Sequence, residues 1–474
     1  MNMKTIKYLF VGALMMGFSA PVSAQTDNKA VIDQIAGVIK SKAADTPDQV
    51  KAVFKKNKKN GEVLVGIGRA YLDIKDTASA AVYANHGIKM KYAPAFVLMG
   101  DIKALAEDGG GAAEFYDQAI YFDPKSPEAY YKYASVYRKI SPSQAISKLE
   151  DLRVQRPDIA VDALKGRIYY QSNDFEKAIG AFKAADVNKM EERDIRSFAM
   201  SYYFTGKYNE CLAIAKKGLE KNSRDAGYNR LAFFSNTELK DFDAALNYAD
   251  ALFNRSDSAK FSYFDYTYYG NALSGAKKHE EAIAMYNKAL EQEIEDGDKR
   301  AGVVKQLSEA YENKEDYENA IKAYQQFLQT VSKSDANDMV GLAQLYTVYA
   351  NSKQGEERTA LFKNAENVYV EMESKYPQAK EYALFMRARV NTYMDPETKE
   401  GLAKPYYEEL VSIIEPRGEK SSADMARLLE GYRYLGYYYL LNNEKETSIS
   451  FWQKIVELDP TNEAAKNALE ALSK

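Results

Sequence analysis

The sequence predicts an all-α fold, an array of stacked helical hairpins, and three observations carry that prediction. Within residues 162–185, Gly166 and Tyr169 stand three apart, while Ala178, Phe182 and Ala185 follow one another at four and three. Residues three or four apart share a face of a helix with 3.6 residues per turn, so the segment reads as two short helices, each with one small-and-aromatic stripe. Between them, residues 171–174 (Gln-Ser-Asn-Asp) cap and turn more readily than they continue a helix. The third observation is recurrence. Small first-helix residues at Gly68, Gly100, Ala134, Gly166, Ala199 and Ala232 succeed one another at intervals of 32 to 34 residues.

Small residues on both facing stripes let two backbones approach closely, and aromatics fill what remains. A single such hairpin does not hold together alone. It buries about six apolar side chains at ~1.5–3 kcal/mol each, whereas ordering its backbone costs ~1–2 kcal/mol per residue. Stacking on neighbours must supply the difference.

The spacing resembles the tetratricopeptide repeat, a helix-turn-helix module of about 34 residues. Tyr116, Ala119 and Pro124 keep that family's second-helix pattern with its closing proline, as do Ala145, Leu149, Leu152 and Pro157, and again Trp452, Ile455 and Pro460. Further copies follow Tyr202 (Cys211, Ala215, Gly218), Ala232 (Ala244, Tyr248, Ala251), Gly270 (Ala282, Tyr286, Ala289) and Tyr311 (Ala320, Tyr324, Phe327). Roughly eleven copies in register are counted. The resemblance is to exported bacterial members of the family. It implies a right-handed superhelical solenoid closed by N- and C-terminal capping helices, and a concave groove, lined by first helices, that binds peptides or partner proteins.

Taken in order, the chain opens on Lys4 and Lys7, an apolar run from Tyr8 to Phe18, and small residues with Val22 and Ala24 placed as a signal peptidase requires. Residues 1–24 are therefore expected to be a cleaved signal peptide. The only cysteine is Cys211, so no lipoprotein cysteine follows the run, and a periplasmic or secreted protein with no membrane span after cleavage is expected. Residues 25–60 read as an N-terminal helical cap: Val31, Ile35, Val38 and Ile39 form one stripe, and Thr46-Pro47-Asp48 offers an N-cap with proline in the first turn. Lys55, Lys56, Lys58 and Lys59 read as a solvated helix end.

Residues 61–291 hold the regular repeats. Counted from Gly270, the markers Ser308, Tyr346, Ala388 and Gly436 step by 38, 38, 42 and 48, so longer, irregular repeats are expected in residues 292–461, with the extra length in stretches such as 332–338, 395–401 and 416–422. Residues 462–474 read as a C-terminal capping helix.

The chemistry of catalysis is missing from the pattern. With His86, His279 and one cysteine, no zinc ligand set assembles, and Ile283 stands where a helical zinc protease needs its second histidine. Cys211 occupies a small-residue slot and is expected to be buried. Gly109-Gly110-Gly111 lacks the strand and the Gly-Lys-Ser/Thr of a phosphate loop, and reads as the turn inside its repeat. No cofactor, no metal and no enzyme activity are expected. With 64 basic and 68 acidic residues the formal net charge is -4, and nucleic acid is not an expected partner.

Tyrosine is abundant, 38 residues against one tryptophan. Many tyrosines fall where the repeat packs an aromatic, and others cluster on first helices, as at Tyr130, Tyr131 and Tyr133. Such rings suit either packing between repeats or a contact surface for peptides or sugars. If the small marker faces its partner helix, the residues six and three before it and one and four after it form a separate stripe, which in the family faces the concave surface. That stripe holds Tyr131, Arg138, Arg167, Tyr170, Arg193, Arg196, Tyr203 and Asn229, with Ser135, Met200, Phe233 and Asn236, and with Glu128 at its edge. The expected function is a non-catalytic cell-envelope scaffold that binds a protein or peptide there, the arginines favouring an acidic or C-terminal segment. A glycan-binding protein with a tyrosine-rich groove is the alternative.

Overall fold

A computed structural model of the chain describes residues 22–473. The export signal expected at residues 1–24 lies, up to residue 21, outside the described residues. Those described form 25 α-helices with short 3-10 and π segments, and no strand occurs among them. The chain divides into two compact units, one ending at Ser235 and the other beginning at Asn236.

The first unit opens on α1 (Val22–Ser41) and α2 (Thr46–Lys56). Helix pairs follow: α3 (Gly61–Asp73) with α4 (Thr77–Lys89), α5 (Ala93–Leu105) with α6 (Gly109–Phe122), α7 (Pro127–Tyr137) with α8 (Pro142–Gln155), α9 (Asp162–Gln171) with α10 (Phe175–Ala184), and α11 (Glu192–Phe204) with α12 (Tyr208–Lys221). The division falls within α13 (Ala226–Glu238). In the second unit α14 (Phe242–Asp250) runs on into a π-helical turn, Ala251–Arg255. Then come α15 (Tyr263–Gly275) with α16 (His279–Leu290), α17 (Gly297–Asn313) with α18 (Tyr317–Thr330), α19 (Ala336–Asn351) with α20 (Gly355–Lys375), α21 (Lys380–Met394) with α22 (Lys404–Ile414), α23 (Ser422–Leu441) with α24 (Lys445–Leu458), and α25 (Glu463–Ser473).

Within a pair the two helices interlock through the small markers. A methyl group added at Gly166 would lie 2.6 Å from the Phe182 ring, at Gly100 2.4 Å from Tyr116, and at Gly270 2.5 Å from Tyr286. Each aromatic sits in the notch its glycine leaves, and all three rings are buried. Where the marker is a serine, its hydroxyl is absorbed: Ser308 Oγ, fully buried, donates to the Ala320 carbonyl of the partner helix at 2.7 Å.

The turns repeat too. First helices end on a residue with φ near +60°, namely Lys75, Glu107, Asn173, Lys240, Lys277, Glu315 and Asn443, with Gly206 in the same role. The next amide returns to a carbonyl five residues back, as from Asp76 N to Tyr71 O at 2.9 Å and Asp316 N to Tyr311 O at 2.9 Å. That next residue is often an aspartate whose side chain caps the second helix: Asp76 accepts from the Ser79 amide at 3.0 Å and Asp108 from the Gly111 amide at 2.8 Å. Gly109 to Gly111 are thus the first turn of α6 rather than the turn expected of them. Because L-residues are disfavoured at positive φ, Glu107→Gly and Glu315→Gly should each raise stability by about 0.5–1 kcal/mol. A urea midpoint that fails to rise in either variant would show that these residues are not strained.

One detail of the N-terminal cap differs from expectation in position only. Ile35 and Ile39 are buried as the stripe requires, but the residue preceding α2 is Asp45, and Thr46 lies inside the helix, its hydroxyl donating to Val38 O at 3.2 Å.

In the second unit the extra residues mostly lengthen helices. One continuous buried cluster runs from Leu273 to Val390 through α15 to α21, so the longer repeats are tightly packed. In α19 the fully buried small residues are Ala343 and Ala350; Tyr346, which spacing puts in the marker slot, is half-buried and accepts a hydrogen bond from Gln325 Nε2 at 3.0 Å. The longest loop of this unit, between α21 and α22, is pinned: the Asp395 carboxylate accepts from the amides of Lys399, Glu400 and Gly401 at 2.8–3.0 Å. Helix α25 covers α24 with Ala465 and Leu472.

Candidate functional site

Helices with odd numbers touch the odd helix two along: α1 and α3, α3 and α5, α5 and α7, and α9 and α11 in the first unit, α15 and α17 in the second. They form one layer of each unit, with even-numbered partners behind. The stripe residues expected from the spacing belong to the odd helices α7, α9, α11 and α13, with Arg138 closing α7.

Ion pairs stitch the layer together. In the first unit, Asp101 of α5 receives Arg69 from α3 and Lys132 from α7, the latter at 2.7 Å, together with the Tyr116 hydroxyl at 2.8 Å. Arg167 of α9 meets Asp194 of α11 through two parallel bonds, Nε to Oδ1 and Nη2 to Oδ2, both 2.6 Å. Asp194 is 2 % exposed and Arg167 16 %, so the pair is a desolvated clasp between repeats. Arg196 reaches Asp225 at 2.6 Å and lies 5.1 Å from the Tyr228 ring centroid. The second unit does the same with Lys305 and Asp338 at 3.0 Å and with Arg389 and Glu430 at 3.1 Å.

The other stripe residues divide by exposure. Arg193 is 58 % exposed and pairs with the exposed Glu191 at 2.6 Å. Arg138 closes α7 and donates to Ser135 Oγ at 3.0 Å. Tyr131 and Tyr170 are half-buried, burial pushing both phenols above their usual range, and the Tyr170 hydroxyl lies 3.3 Å from Met200 Sδ. Tyr203 packs against Tyr208 and Phe234. Asn229 is buried and donates to the Ser223 carbonyl at 3.0 Å. The acids Asp101, Asp194 and Asp225 escape the stripe read from spacing because each meets its cation across neighbouring repeats; their signal in the sequence is an acid 27 to 32 residues after an arginine.

Some of the tyrosines have a structural use. The buried phenols of Tyr407 and Tyr432 donate to Glu430 at 2.9 Å and Glu415 at 2.8 Å, and the half-buried Tyr439 donates to Glu408 at 2.6 Å. Phenylalanine would pack equally well and leave those links unmade.

No group of three or more His, Cys, Asp or Glu is placed to hold a metal among the described residues. Cys211 is buried, which pushes its thiol up to about 11. No described helix is long and apolar enough to cross a membrane.

The helix pair α17 and α18 supplies the decisive comparison: residues 304–338 match the sequence model of the tetratricopeptide repeat. The chain carries a tetratricopeptide repeat. In it Ser308, Ala320, Tyr324 and Phe327 are among the buried residues between the two helices. This tetratricopeptide repeat lies in the half of the chain where the spacing is longer. Among solved structures, the C-terminal part of a tetratricopeptide repeat-containing protein from Cytophaga hutchinsonii is similar at 25% identity, over 58% of this chain and 99% of that one, with a TM-score of 0.46. A tetratricopeptide repeat protein from Parabacteroides merdae is similar at 17% identity over 53% of this chain and 98% of its own, TM-score 0.35. No curated protein matches the chain by sequence.

Proposed function

We propose that this chain is an exported, non-catalytic interaction scaffold that takes an acidic segment of a partner protein on the odd-helix layer of its first unit. The observation that carries the reading is a row of cations and phenols on that layer, running through Tyr131, Arg138, Tyr170, Arg193, Arg196 and Tyr203. Arginine forks suit carboxylates, and the phenols add apolar area with a hydrogen-bonding tip. Arg167 belongs to the scaffold, since Asp194 engages its fork on both arms.

With a partner in hand, Arg138→Ala, Arg193→Ala and Arg196→Ala measured at two salt concentrations are expected to weaken binding and flatten its salt dependence. A partner-paired arginine that becomes desolvated on binding is worth ~2–5 kcal/mol on truncation, one left at the rim ~0.2–1 kcal/mol. Wild-type affinity with an unchanged salt slope in all three would overturn the reading. Export predicts a mature N-terminus at Gln25, and mass spectrometry finding an intact Met1 on protein from the native host would contradict it.

A further inference from the structure

On another face of the first unit lies an open pocket of about 510 Å³ between α6 and α7. Its walls are phenols: Tyr121 from the end of α6, and Tyr133 and Tyr137 from α7, these two with ring centroids 4.8 Å apart. Tyr121 is 79 % exposed, a whole ring held out beside a concave surface. Glu114, Asp117 and Gln118 of α6 supply the polar groups. Successive helical residues are about 100° apart, so Tyr133 and Tyr137 of α7 face away from its stripe residues Tyr131 and Ser135. This pocket opens on a face of α7 away from those stripe residues.

The charge inside it is already partly satisfied. Lys148 of α8 places its ammonium 2.7 Å from Asp117 Oδ1 and 5.4 Å from the Tyr133 ring centroid. The carboxylate and ring face that would otherwise seat a cation are held by the protein's own lysine. What remains for a ligand is the Tyr121 face, the Gln118 amide and the Glu114 carboxylate. A flat apolar platform beside an amide and a carboxylate complements a ring that is apolar on its faces and hydroxylated at its rim.

We propose that this pocket binds a neutral sugar ring of an oligosaccharide, stacked on Tyr121 with its hydroxyls donated to Glu114 and Gln118. The site does not depend on the protein-binding reading, and either can fail without the other. Gly110 gives a way to close the pocket, because it lines it and a Cβ added there would meet nothing within 4 Å. The full mature chain, Tyr121→Ala and Gly110→Leu are titrated by calorimetry with neutral trisaccharides of glucose, mannose, galactose and N-acetylglucosamine, folding being checked by circular dichroism. Expected is saturable binding of at least one by the unsubstituted protein, weakened about tenfold by each substitution and unaltered by Arg193→Ala. The proposal is overturned if no trisaccharide binds below roughly 10 mM, or if binding persists unchanged in both pocket variants. It is equally overturned if N-acetyl-lysine methylamide with its free ammonium binds more tightly than every sugar and loses that binding in Tyr121→Ala, since the pocket is then a cation site.

Discussion

Arg167→Ala should destabilise the first unit by about 3–5 kcal/mol, the cost of leaving a buried carboxylate without its counter-charge. The loss arises from Asp194, 2 % exposed and held in the fold by two 2.6 Å bonds that no other described cation duplicates at that distance. Removing both charges reverses most of the effect: Arg167→Met combined with Asp194→Leu should return to within about 1 kcal/mol of the parent, because the desolvation cost disappears together with the attraction. The neighbouring Arg193→Ala, whose ion pair is exposed, should change stability by no more than ~0.2–1 kcal/mol. Urea midpoints of the three variants decide the matter. A single Arg167→Ala variant as stable as the parent would show that the clasp carries no energy.

Gly100→Ala should cost about 1–3 kcal/mol, although alanine is the better helix former by about 1 kcal/mol. The new methyl carbon would stand 2.4 Å from Tyr116 Cε1, and that ring has nowhere to go. It is 1 % exposed and its hydroxyl is committed to Asp101 at 2.8 Å. Shortening the ring by Tyr116→Leu in the same chain should recover part of the loss. Gly180→Ala is the control, on the exposed side of α10 with nothing within 4 Å of the added carbon, and should stabilise by about 0.5–1 kcal/mol. Equal effects at Gly100 and Gly180 would mean that the interlocking of hairpins is not set by the small markers.

The hairpin plan was legible because it rests on local repetition: Gly166 and Phe182 were on facing stripes in the sequence and are in contact in the fold. The break at residues 171–174 likewise became the turn, with Asn173 at φ 59° and Asp174 capping α10. Legibility fell where a neighbour at long range decides the outcome. Tyr346 stands in the marker slot by spacing, but the fully buried small residues of α19 are Ala343 and Ala350, one turn to either side of it. Three glycines in a row suggested a turn, whereas the Asp108 cap lets them begin a helix. The arginine stripe could be read from one helix at a time, and the acids that meet Arg167 and Arg196 could not, since they sit 27 and 29 residues further on. Of these two, Arg167 is spent on holding repeats together, whereas Arg196, 41 % exposed, also reaches solvent.

A photo-reactive phenylalanine placed singly at Tyr170, Tyr203, Gly180 or Lys216 in the native host tests the interaction reading most directly. Tyr170 and Tyr203 lie on odd helices, while Gly180 and Lys216 are exposed on even ones. Irradiation is expected to join the same partner protein to the chain from positions 170 and 203 and from neither of the other two. Cross-links to that partner from positions 180 and 216 with none from 170 and 203 would contradict the account.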